Sequence, residues 1–124
     1  MLRQMSVELV NDGGKHAVCI SIDDKSVILQ TNDVDGVIDL LSRMRTTMRP
    51  EIPKEPSRTQ QYVVEMDPCW HAEPHPFYDG VVLIFRHSGL GWAGFALPRH
   101  SLEKLCEAMT QQVETIATDQ GLLN

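Results

Sequence analysis

The chain has 124 residues, 42% of them apolar, with a formal net charge of −6 and a pI near 5.2. That length suits one domain, able to bury about two thirds of its unfolded surface without disulfides or a structural metal. The acidic balance and scattered basic residues repel phosphate backbones, which excludes the usual electrostatic route to a nucleic-acid partner.

Residues Met1 to Met5 lack the basic start and continuous apolar core of a secretory signal. No segment approaches the roughly 20 apolar residues of a membrane span. The expectation is a cytoplasmic protein with no membrane partner. Cys19, Cys69 and Cys106 form no CxxC pair and no even set, so a disulfide framework is not expected. Cys19 and Cys106 fall on strand or helix faces, where a thiol acts as a small hydrophobe.

The first strand is predicted near Gln4 to Val10, ended by the turn signal Asn11-Asp12-Gly13-Gly14. In the second, near His16 to Ile22, Val18 and Ile20 alternate with Cys19 and Ser21. Asp23-Asp24-Lys25 closes a tight hairpin into a third strand, Ser26 to Gln30. Asn32 or Asp33 suits a helix N-cap, since a short polar side chain there accepts the open amides of the first turn. Val34, Val37, Ile38, Leu41 and Met44 then recur at helical spacing. Gly36 costs that helix about 1 kcal/mol relative to alanine without breaking it. Arg43, Arg45 and Arg49 lie near its end, where cations suit the negative pole of the helix dipole.

Between Arg49 and Gln60, Pro50, Pro53 and Pro56 alternate with charged residues. Each proline fixes its own φ and biases its predecessor toward extended backbone, which reads as a semi-rigid connector. The second half then repeats the pattern. Strands are predicted at Gln61 to Met66, Gly80 to Arg86 and Trp92 to Leu97, with a glycine-bearing turn at His87 to Gly91. Pro98 precedes a last helix with Ser101 as candidate N-cap and Leu102, Leu105, Cys106, Met109, Val113 and Ile116 as its stripe, fading near Gly121.

The order suggests one βββα unit used twice, over residues 4–48 and 61–117. Matching Leu29 to Leu97 also matches Val27 to Phe95, Val34 to Leu102, Val37 to Leu105, Ile38 to Cys106 and Leu41 to Met109. Shorter offsets set Val18 and Ile20 on Val82 and Ile84, and Val7 and Leu9 on Val64 and Met66. The fold class expected is α+β, a mostly antiparallel sheet of about six strands with two helices.

One segment carries ligand-type side chains: Asp67-Pro68-Cys69-Trp70-His71-Ala72-Glu73-Pro74-His75-Pro76. In an extended chain, side chains two apart share a face about 7 Å from one another. Cys69, His71 and His75 therefore make a candidate zinc set, with His87 able to add a nitrogen. The spacing matches no common zinc signature, and three prolines interrupt the alternation. The reading without any cofactor is the first one and zinc the alternative.

Catalysis has less support. Cys69 and His71, two apart, seldom meet as a nucleophile and base, and no Gly-x-Ser-x-Gly elbow is present. The Gly89 and Gly91 pair joins two strands without a Lys-Ser or Lys-Thr opening a helix, so it is no phosphate loop. Apolar side chains on both sides of the second-half strands instead require a cover. A non-enzymatic binding or assembly protein is expected, acting through a homodimer or another protein partner, with Trp70, Phe77, Tyr78 and Trp92 as candidate contacts.

Overall fold

In the computed structural model, residues 4–59 and 63–123 are described, with side chains described through Asp119. The chain divides into two compact units, Met1–Gln61 and Tyr62–Asn124, the division falling at the end of the proline-bearing stretch. Among the described residues there are six strands and two helices, the strands arranged as two three-stranded antiparallel sheets.

The first unit consists of β1 (Met5–Asp12), β2 (Lys15–Ile22), β3 (Lys25–Leu29) and α1 (Thr31–Arg45). Gly13 and Gly14 close the first hairpin with φ of +61° and +87°, the two left-handed positions of a type I′ turn, whose twist matches the flanking strands. The Gly14 amide donates to Asn11 Oδ1 at 2.9 Å. At the other end Asp23, φ +57°, begins the β2–β3 turn, and its amide donates to the Gln4 carbonyl at 2.8 Å.

The register aligns Val7 with Ile20 and Ile20 with Val27, and likewise Leu9 with Val18 and Val18 with Leu29. Cross-strand partners share a face. Met5, Val7 and Leu9 therefore stand beside Val18, Ile20, Ile22, Val27 and Leu29 on one largely apolar face, with Lys25 at one end and the Asn11–His16 pair at the other. The opposite face carries Ser6, Glu8, Val10, Ala17, Cys19, Ser21, Ser26 and Ile28. Ala17, 3% exposed, is the one fully buried apolar side chain among the described residues.

Helix α1 starts earlier than its sequence suggests, with Gln30 at the N-cap. Strand pairing runs to Leu29, so the helix must begin at once. Asp33 keeps a capping function from the third helical position, its Oδ2 accepting from the Gln30 amide at 3.1 Å. Gln30 Nε2 also donates to Asp12 Oδ2 at 2.7 Å, fastening the helix start to the β1 end. Arg45 donates to the carbonyls of Met48 and Pro50 at 3.3 and 3.0 Å, so its role is closure of the helix end.

The second unit consists of β4 (Trp70–Pro74), β5 (Gly80–His87), β6 (Gly91–Pro98) and α2 (Arg99–Leu123). The strand expected at Gln61 to Met66 is absent over Val63 to Met66, while Gln61 and Tyr62 lie outside the described residues. The open edge of β5 is taken instead by Trp70–Pro74. Proline is tolerated there because an outer strand has one side without ladder bonds. Asp67, φ +44°, turns the chain before that strand.

Registers also revise the match between the halves. Val81 faces Leu97 and Leu83 faces Phe95, just as Val18 faces Leu29 and Ile20 faces Val27. The positional counterparts of Val18 and Ile20 are thus Val81 and Leu83, one residue before those inferred from the sequence. The counterpart of Val7 is Ala72, which faces Leu83, and not Val64. A one-residue slip matters because it exchanges the two faces of a strand.

Helix α2 begins at Arg99, ahead of Ser101, and passes Gly121 to reach Leu123. The Arg99 amide donates to the Asp79 carbonyl at 2.9 Å, which fixes the start. Leu102 and Leu105 are half-buried, whereas Met109, Val113 and Ile116 stay exposed. Gly80 is required by space: a Cβ there would collide with the Leu97 carbonyl and lie 2.9 Å from the Tyr78 ring. Gly80→Ala should destabilise the second unit by about 2 kcal/mol through overpacking, read as a lower urea midpoint.

Candidate interaction surface

Period-two alternation and the β4–β5–β6 register sort the ligand-type residues onto different surfaces. Trp70 faces Phe85, and Phe85 faces Ala93, so these share a face with Leu83 and Phe95. His71 and Glu73 lie on the other face with Val82, Ile84, Arg86 and Trp92. The His71 ring sits 5.5 Å from the Trp92 ring, tilted by 43°. Phe77, 91% exposed, and Tyr78 belong to the turn after β4. The four aromatics proposed as contacts therefore divide among two faces and one turn.

His75 and His87 are turn organisers. His75 Nδ1 accepts from the Phe77 amide at 3.0 Å and the Tyr78 amide at 3.3 Å. Its ring stacks on Tyr78 with centroids 3.6 Å apart. His87 Nδ1 accepts from the Gly89 and Leu90 amides, each at 3.0 Å. A neutral imidazole accepting at Nδ1 carries its proton on Nε2 and has no second lone pair. In this arrangement both rings spend on backbone amides the electrons a metal would need. Cys69 is exposed, and its carbonyl accepts from the Arg86 amide at 2.9 Å. Among the described residues, no group of three or more His, Cys, Asp or Glu side chains is placed to hold a metal ion.

Two carboxylates outside the sequence-based candidates tie these turns down. Glu65 Oε1 accepts from the Ser88 amide at 2.6 Å and the Ser88 hydroxyl at 2.5 Å. The Ser88 hydroxyl, then its amide, holds the Glu65 carboxyl below the ordinary glutamate range, aided by the nearby Arg86 charge and by His87 whenever its imidazole is protonated. His87 Nδ1 lies 3.4 Å from Glu65 Oε1, an ion pair only when the imidazole is protonated. Asp79 accepts from Arg99 Nε at 2.5 Å and Nη2 at 3.0 Å. That two-point contact lowers the Asp79 carboxyl and raises the Arg99 guanidinium. Neither pairing had a sequence signal, since 23 positions separate Glu65 from Ser88 and 20 separate Asp79 from Arg99.

A continuous apolar surface lies on the first unit. Met5, Val7 and Leu9 are 68%, 61% and 69% exposed, while Val18, Ile20 and Leu29 are half-buried. A shallow groove of about 410 Å³ lies at the β2–β3 end of this face, lined by Ile20, Ile22, Val27 and the Asp23-Asp24-Lys25 turn. Comparison with protein families, curated proteins and solved structures finds no match to this chain.

Both lowered carboxylates give a defined pH response. Their stabilising contribution is complete above the unfolded carboxylate range, near pH 4, and is lost as pH falls through the lower folded values. Carboxyl NMR titration should place Glu65 and Asp79 below their ordinary ranges, and Ser88→Ala should raise Glu65. Elemental analysis of untagged protein should find no stoichiometric zinc, unchanged by His71→Ala.

Proposed function

We propose that this chain is a non-enzymatic assembly protein that works by associating with a second copy of itself. The carrying observation is the apolar face of β1, β2 and β3, whose outer members Met5, Val7 and Leu9 are each more than half exposed. Exposed apolar side chains scattered singly are ordinary, but a contiguous sheet face of them marks a contact surface. Leu41 and Met44 of α1 remain exposed as well, so the helix stripe leaves further apolar surface for association.

A symmetric dimer is the economical solution, since one self-complementary patch serves both partners. The likeness of the two βββα units supports a duplicated origin, with the Val18 to Val81 and Ile20 to Leu83 correspondence as its basis. The acidic net charge has little expression on this face, whose one formally charged side chain is Lys25 at the β3 start.

Light scattering on untagged protein should give twice the 14.0 kDa chain mass. A monomer mass at every concentration would remove the reading. Met5→Asp together with Leu9→Asp, two exposed positions on that face, should weaken the dimer at least tenfold with little change in the circular dichroism spectrum.

A further inference from the structure

Strand β1 is an outer strand, pairing only with β2 among the described residues. Its eight residues run in unbroken register from Met5 opposite Ile22 to Asp12 opposite Lys15. Outer strands normally carry a lysine, a proline, a bulge or a short length that discourages another chain from pairing. The other outer strands have such features. β4 is five residues long and ends in Pro74 between Pro68 and Pro76, β3 is five residues long and begins with Lys25, and β6, eight residues long like β1, ends in Pro98. β1, Met-Ser-Val-Glu-Leu-Val-Asn-Asp, has no proline or lysine, and its one mid-strand charge is Glu8.

The hairpin geometry shows which of its backbone groups are open. A two-residue turn is closed by a hydrogen-bonded pair, here Asp12 and Lys15. Ladder bonds then recur at alternate residues, through Val10, Glu8 and Ser6. The bond from the Asp23 amide to the Gln4 carbonyl continues that series. The amides and carbonyls of Met5, Val7 and Leu9 consequently point outward, away from β2.

We infer that β1 is the self-pairing edge: two copies join antiparallel through β1, with Val7 on the two-fold axis, to make one six-stranded sheet. This rests on the self-association reading and names the contact. A two-fold axis perpendicular to a sheet preserves its faces, so paired residues must have the same parity. Three central registers satisfy this. With Glu8 on the axis, two carboxylates meet; with Leu9 on the axis, Val7 meets Asn11. With Val7 on the axis, Val7 meets Val7, Met5 meets Leu9, and Ser6 meets Glu8, so apolar lies on apolar and no like charges oppose. The outward groups of Met5, Val7 and Leu9 then form about six hydrogen bonds across the junction, and the two apolar faces become one.

Val7→Pro tests the junction, because it removes an outward amide and leaves the β1–β2 ladder intact. Light scattering should show dimeric wild type and monomeric Val7→Pro with an unchanged circular dichroism spectrum. Hydrogen exchange at the Met5 and Leu9 amides should be at least tenfold slower in wild type than in the variant. If Val7→Pro does not fold, Val7→Lys replaces it, since two ammonium groups would meet on the axis. Ser6→Lys, set opposite Glu8 of the second copy, should tighten the dimer severalfold. A dimer that persists in folded Val7→Pro or Val7→Lys, or whose Met5, Val7 and Leu9 amides exchange rapidly, overturns the β1 junction while self-association stands. A wild type that is monomeric throughout overturns both.

Discussion

The cross-strand register of the first unit is the constraint on which the rest depends. Because Val7 lies opposite Ile20 and Ile20 opposite Val27, eight apolar side chains from three strands fall on the same side. Had the hairpins closed one residue later, the serines and Glu8 would share that side with them. The glycine pair at positions 13 and 14 prevents this by setting a two-residue turn, as does Asp23 at the other end. Turn chemistry thus decides which surface of the unit is apolar, and the strand sequence supplies how apolar it is.

The second unit uses the same strand order with different support. Its turns are longer and are organised by side chains: His75 and His87 accept loop amides, while Glu65 and Asp79 accept from Ser88 and Arg99. A three-residue loop, Ser88 to Leu90, followed by left-handed Gly91, has more backbone donors to satisfy than the glycine turn of the first unit. Imidazole and carboxylate acceptors meet that need. The histidine and glutamate content that resembles a ligand set in the sequence is thereby engaged in loop construction, apart from His71 and Glu73 on β4.

Elements whose identity depends on local pattern were legible in the sequence: β1, β2, β3, β5, β6 and both helices follow from alternation, helical spacing and the Gly13-Gly14 signal. The location of β4 was not. Val63-Val64-Glu65-Met66 has the better strand composition, whereas Trp70–Pro74 has a proline and is the segment that pairs. Strand composition measures how well a side chain fits a pleated surface, and the choice between two segments depends on which reaches the β5 edge in register. The same non-local dependence hid Glu65, Ser88, Asp79 and Arg99, since charge and hydroxyl types announce no partner 20 or more positions away. Helix starts shifted for a related reason, because Gln30 is tied to Asp12 and the Arg99 amide to the Asp79 carbonyl, partners 18 or more positions away.

Differences between the two units separate architecture from association. Each has a three-stranded meander followed at once by a helix, so strand number and order cannot assign different surfaces to them. Outer-strand composition can. Pro74 removes one backbone donor from β4, and Pro68 and Pro76 restrict the chain at either side, so a further strand there would find an interrupted ladder. The corresponding strand of the first unit keeps every donor and presents Val7 and Leu9 in place of Ala72 and Pro74. Backbone donors supply direction and register, while exposed apolar side chains supply the gain from removing water. β1 combines these two requirements along its length, which is why the association argument attaches to that edge and not to the sheet architecture common to both units.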